Sequence, residues 1–256
     1  VDNHEDTETG NLLCETVDPG AFVWKTDVNS IDYSHPELYL TAGNQSDLNK
    51  RYFDEINRQI KIKSNDIEGI RTIFNWKQGY FKAYAAGGAL IGQITIDQIM
   101  EKRSLGGCHD HGLALVSILR SYGFPAVMVD AAGIQWAFDY REGKAKGFRG
   151  HVFVEAYVKN RWILIDSTSG EYVENYDPSN LVIPIKLSVE TRGHLVLIES
   201  KGYFALFKGL DPVGYGITSF QQLKEHLEEF ARRAESIEIS FPQYLIKKLR
   251  SADSCD

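Results

Sequence analysis

The residues best suited to chemistry lie in Ser104–Leu119, SLGGCHDHGLALVSIL. Gly106-Gly107 make a flexible turn that delivers Cys108 to the first turn of an apolar helix. A helix N-terminus carries unpaired N–H groups and roughly half a positive charge, so it favours anions. A thiol placed there loses its proton more readily, and the thiolate is the nucleophile. The competing reading is a buried core cysteine, because free Cys is among the most buried residue types. Further along, His151 stands just before the alternating run Val152–Val158, and Asp166 closes the run Trp162–Asp166. Lys159-Asn160 between them suits a tight hairpin. If Val158 pairs with Arg161, then Tyr157 faces Trp162, Glu155 faces Leu164 and Phe153 faces Asp166. His151 and Asp166 then share one face as diagonal neighbours. A slip of one residue would separate them.

In that register the imidazole is a base and the carboxylate its orienter. Cys108, packed by its helix against the same face, completes a Cys-His-Asp arrangement. The thiolate of such a site attacks a carbonyl carbon, the histidine transfers the proton and the aspartate stabilises the imidazolium. Each member also has an ordinary reading: a satisfied structural histidine, a polar strand exit at Asp166-Ser167-Thr168. His109 and His111 either line the substrate cleft or tune the thiolate. Consecutive helical residues point about 100° apart, so Cys108, His109, Asp110 and His111 cannot all converge on one ion. Zinc ligands come in pairs at wider spacings, and no acidic loop has a calcium pattern. No metal or other cofactor is expected. An oxyanion hole needs the Cys108 N–H and a second donor, for which Gln93 and Trp76 are upstream candidates. His4, His35, His194 and His226 read as surface or packing residues.

The elements that must position these groups follow from periodicity and caps. Val1–Gly20 reads as a tail, and Ala21–Leu40 as one or two strands or an irregular wrap. Ser46 or Asp47 starts a helix to about Ile62; Ser64 or Asn65 starts another, ending by Gly87-Gly88. Thr95-Ile96-Asp97-Gln98 has the form of a capping box and opens a helix to about Arg103. The Cys108 helix runs to about Tyr122 and is apolar nearly all round, as a helix between layers should be. The period then changes to two for Pro125–Ala132 and the two runs above, with later strands at His194–Glu199 and Tyr203–Phe207. Between the first two strands, Gly133–Gly150 is long for a connection: it is either a lid or specificity loop, with Trp136 and Tyr140 as candidate substrate contacts, or a plain exposed hairpin excursion. Phe220–Ala234 is an amphipathic helix, and Phe241–Leu249 reads as another.

Composition narrows the class. With 256 residues, 43% hydrophobic and 25% charged, the chain can bury a substantial core. Its 28 basic and 35 acidic residues give −7, against nucleic acid or an anionic membrane surface as the main partner. No apolar run approaches the roughly 18 residues of a membrane span. Three cysteines are present; pairing Cys14 with Cys255 would leave Cys108 as the lone thiol, the alternative being two further free thiols. A polar, acidic start at Val1 suits an exported protein (periplasmic, extracellular or surface-tethered) or a truncated chain; a cytoplasmic location is the alternative.

The order of segments resembles the transglutaminase-like superfamily of cysteine enzymes. The matching words are Phe74-Asn75-Trp76, Thr95–Arg103 leading into Gly107-Cys108-His109-Asp110-His111-Gly112, and Leu119–Ala126. His151-Val152-Phe153-Val154-Glu155 and Arg161–Thr168 complete them. Phe153 stands where the family commonly has Trp. The resemblance implies an α+β, papain-like core in which the Cys108 helix packs on an antiparallel sheet bearing His151 and Asp166. The order of elements along the chain sets a tail and irregular wrap at 1–45, a core at 46–190, and strands and helices at 191–256 packed on that core; the resemblance itself covers roughly Ile67–Thr168. The activity it implies is acyl transfer from a peptide or protein amide through a thioester, as a peptidase, amidase or deamidase. The substrate would be a protein, a peptide or a cell-wall peptide. The alternatives are a transglutaminase with an amine acceptor and a non-catalytic module that keeps the fold.

Overall fold

The computed structural model describes residues 12–18, 21–26, 31–84, 88–191, 194–199, 201–233 and 243–249, with backbone alone for 12–26 and 187–199. The chain runs through β1 (Leu12–Asp18), β2 (Ala21–Thr26), α1 (Lys50–Gln59), α2 (Ile67–Tyr80), β3 (Lys82–Ala83), α3 (Ile96–Lys102) and β4 (Ser104–Leu105). There follow α4 (Cys108–Ser121), β5 (Ala126–Gly133), α5 (Ile134–Arg141), β6 (Gly150–Val158), β7 (Arg161–Asp166) and β8 (Glu171–Val173). The described chain ends with β9 (Val182–Ile183), β10 (Leu187–Thr191), β11 (His194–Glu199), β12 (Tyr203–Gly209), α6 (Phe220–Arg233) and β13 (Ile246–Lys248).

The fold is α+β. Its main sheet is seven-stranded, in the order β13-β8-β7-β6-β5-β12-β9. Each pairing within it is antiparallel. The predicted hairpin register holds: Val158 pairs with Arg161, Glu155 with Leu164 and Phe153 with Asp166. Lys159 and Asn160 sit at φ 48° and 61°, the left-handed pair that a tight hairpin turn requires. Local caps explain the helix starts. Asp66 accepts the Glu68 and Gly69 N–H groups at 3.0 and 3.3 Å, and Asn49 that of Arg51 at 3.0 Å. Both caps lie one to three residues later than the spacing predicts. The Thr95–Gln98 capping box is formed.

One sheet face carries α4, whose residues 109–120 are all buried. Leu113, Leu115 and Val116 pack with Met128, Val152 and Val154 there. Phe153, Val127, Val129 and Leu164 form the core of the other face. Gly112 is the contact point between helix and strand: a Cβ added there would lie 2.5 Å from Val152 Cγ1. Gly112→Ala is expected to destabilise by about 1–3 kcal/mol through overpacking. It should lower the urea midpoint with the slope unchanged; a wild-type midpoint would refute the close approach. Deeper in the second face, Glu155 is fully buried beside Lys208 Nζ at 2.7 Å, with the Tyr33 and Tyr176 hydroxyls donating to its two oxygens. A buried ion pair held by this many hydrogen bonds fixes the middle of β6.

Three expectations are corrected. Leu12–Asp18, read as tail, pairs with Ala21–Thr26, with Cys14 opposite Trp24. The stretch Gly133–Gly150 contains α5: the overall Gly, Lys and Arg content masks the helical spacing of its first half, which packs on α6. Within Phe241–Leu249, residues 246–248 form a strand on the open edge of β8, because cross-strand hydrogen bonds outweigh local helical preference. Cys255, the other half of the proposed Cys14–Cys255 disulfide, lies outside the described residues.

Candidate active site

Cys108 is the first residue of α4, behind the Gly106-Gly107 turn. No side chain caps this helix start, so the unpaired N–H groups of its first turn surround the thiol. Asp110 reaches back to the Gly106 N–H at 2.7 Å and steadies the turn. Cys108 is half-buried.

His151 and Asp166 lie where the hairpin register puts them. His151 Nε2 and Asp166 Oδ1 are 3.1 Å apart, both groups buried. This is an ion-pair distance rather than an aligned hydrogen bond, so Asp166 acts on the imidazole chiefly through charge. The same Asp166 oxygen accepts the Thr168 and Ser169 N–H groups at 2.8 and 3.2 Å, which locks the carboxylate in place. The His151 ring lies against Phe153 and Tyr203, centroids 4.9 and 5.4 Å away. Phe153 also meets the Tyr203 ring, at 5.3 Å, so the three rings form one cluster.

One detail differs from expectation. The body of α4 covers the Val152 face of β6, not the face of His151 and Asp166. Gly112 sits on Val152, so Cys108, one turn earlier, comes to His151 past the beginning of the strand. The electrostatics show the meeting. Burial would push the Cys108 thiol up, but hydrogen bonds and charge from His109 and His151 bring it down to about 6. Burial would likewise lower His151, yet the Asp166 charge and the sulfur hold it up at about 10. Asp166 falls to about 2 against its own burial, because of the His151 charge.

His109 stands on the other side of the sulfur, its Nδ1 3.8 Å from Cys108 Sγ. Its Nε2 is 2.6 Å from Asp130 Oδ2, and Tyr215 donates to that oxygen at 3.0 Å. His111 is also buried. Its Nδ1 accepts from Lys77 Nζ at 3.0 Å, and Lys77 donates to the Ser167 carbonyl at 2.9 Å. Burial and the Lys77 charge hold His111 neutral, down to about 3. This network ties α2 and α4 to the segment that follows Asp166.

Other candidates lie elsewhere. Trp76 gives its single N–H to Gln59 Oε1 at 3.0 Å and stacks on Tyr80, which leaves it no donor for an oxyanion. Gln93 is exposed, at the end of the turn whose Gly88 borders Gly107. Trp136 is buried, donates to the Gly147 carbonyl at 2.9 Å and packs on Phe148, so its ring belongs to the core. Tyr140 packs beside Trp136 and meets Arg232 of α6 at 3.4 Å, so it joins two helices. His35 is exposed beside Asp32, and His226 packs on Phe207. Asp130, Tyr215 and Lys77 escaped the sequence reading. Two left a signal: a lone carboxylate inside an otherwise apolar strand, and a lysine on the Ile70–Ile73–Phe74 stripe of α2.

A model of the transglutaminase-like superfamily matches residues 54–167. A search of curated proteins finds no match. Among solved structures, a candidate cysteine protease from Cytophaga hutchinsonii is similar at TM-score 0.47 and 13% identity, over 74% of this chain and 53% of that one. A structure described as a TGase aligns at TM-score 0.31 and 11% identity, over 91% of this chain and 64% of that one. The chain therefore spans about half the length of the first and under two thirds of the second.

Proposed function

We propose, for a chain whose residues 54–167 match a model of the transglutaminase-like superfamily, an amide hydrolase that works through a thioester on Cys108. The observation that carries this reading is a half-buried thiol at a helix N-terminus beside a carboxylate-paired imidazole. The Cys108 thiolate attacks the amide carbonyl carbon, and the Cys108 N–H faces the developing oxyanion. The C–N bond then breaks as the His151 imidazolium protonates the leaving nitrogen. His151, now neutral, takes a proton from water as the water oxygen attacks the thioester, and the thiolate leaves. Asp166 holds His151 cationic in the resting site. The substrates are peptide or protein amides, with cell-wall peptides among them.

The test has two arms. Alkylation of Cys108 by iodoacetamide across pH 4–10 is expected to rise with a midpoint near 6, far below the roughly 8.5 of a free cysteine. A midpoint of about 8–9 would remove the basis for a poised nucleophile. The second arm offers peptide and cell-wall fragments with and without a primary amine and weighs the products. Products that gain water alone support hydrolysis; amine adducts as the main product would make the chain a transglutaminase instead.

A further inference from the structure

The His109–Asp130 pair is not used by the proposed mechanism, yet it meets the same sulfur. Asp130 is fully buried on β5, opposite Val152 and therefore on the face that carries α4. Among the described residues its Oδ1 has no hydrogen-bond partner, while Oδ2 takes both His109 and the Tyr215 hydroxyl. A buried carboxylate so thinly solvated needs a cation at its side. His109 is that cation, with Nε2 on the carboxylate and Nδ1 aimed at the sulfur; only the doubly protonated ring donates from both nitrogens.

We propose that His109, held by Asp130 and Tyr215, is a second imidazolium at Cys108, which stabilises the thiolate while His151 moves the proton. This rests on the acyl-transfer reading above. The division of labour follows from the two geometries. The His109–Asp130 contact is short and aligned, at 2.6 Å, whereas His151–Asp166 is 3.1 Å and bent. The tight pair keeps its proton through the cycle; the looser one can release it to the leaving nitrogen and regain it from water. The charged surroundings are consistent with this. Asp130 and the sulfur hold His109 up at about 10 against burial. Asp110 lies next along α4, and Asp211 acts on Tyr215. Across the sulfur are His151 with Asp166, and beyond them neutral His111 with Lys77.

The experiment titrates the thiolate of wild type, His109→Gln and Asp130→Asn by absorbance near 240 nm, and measures peptide turnover against pH. Removing a cation at this range is expected to raise the thiol midpoint by about 1–3 units. Alkylation at pH 6 then slows about tenfold or more. The acid limb of kcat/KM should move up with it, and turnover should recover at pH 9, where the thiolate forms without help. A purely structural role would lower activity at every pH and leave the midpoint in place. Should His109→Gln fail to fold, Asp130→Asn, which keeps the shape of the side chain, carries the same expectation. An ordinary thiol in the wild type would overturn the hydrolase reading. A low wild-type midpoint that moves in neither variant would overturn the role of His109 alone.

Discussion

Cys108→Ala is expected to bring amide turnover down to background, a loss of about 10⁴–10⁶-fold. The side chain is small and half-buried, so its truncation leaves α4 and both histidine–carboxylate pairs in place. The nucleophile is nonetheless gone, and no second thiol is described near the site. Cys108→Ser should be nearly as inactive. A hydroxyl is far less acidic than a thiol, and the helix terminus and two imidazoles tuned for a sulfur anion cannot ionise it at neutral pH. Turnover is to be followed by mass on a peptide that the wild type cleaves, with thermal unfolding as the control for folding. Residual activity above a few per cent in either variant would move the nucleophile elsewhere.

Asp166→Asn should cost about 10⁴-fold in kcat near neutral pH while substrate binding changes little. The reason is the balance at His151. Burial favours the neutral ring, and the Asp166 charge, with the sulfur, holds it cationic, up to about 10; once the sulfur is acylated, Asp166 alone does so. With an amide in place of the carboxylate, burial prevails, and no imidazolium remains to protonate the leaving nitrogen. Stability should change as well. His151 has its pKa raised on folding, so its stabilisation is complete below about 6.5 and is lost as pH rises toward 10. Asp166 is lowered, so its share is present above about 3.8 and is lost as pH falls toward 2. The urea midpoint of Asp166→Asn should therefore fall furthest below wild type between roughly pH 4 and 6.5, and the two should converge as pH falls toward 2 or rises toward 10. Equal midpoints at pH 7 would show that the pair contributes nothing to folding.

Some of this architecture was legible from local pattern. The two-residue turn at Lys159-Asn160 and the alternation on either side determine the β6–β7 register. That register alone puts His151 and Asp166 side by side. The apolar circumference of Leu113–Leu119 marks α4 as a buried helix, and the Gly-Gly turn before it marks where it starts. Signals of this kind act over a few residues and survive whatever surrounds them. The partner of His109 is a different matter. Asp130 lies 21 residues away, and the two meet only because Gly112 lets α4 lie close over Val152 on one particular face of the sheet. His111 likewise meets Lys77 of α2, and Trp136 is drawn into the core by the packing of α5 on α6. β13 is a strand because an open sheet edge was available to it. The amino-acid order thus determined which residues could react and how the His–Asp hairpin aligns them. The tertiary structure decided which side of the sheet the cysteine helix covers, and so how many imidazoles reach its sulfur, because long-range packing has no period that a single strand or helix can display.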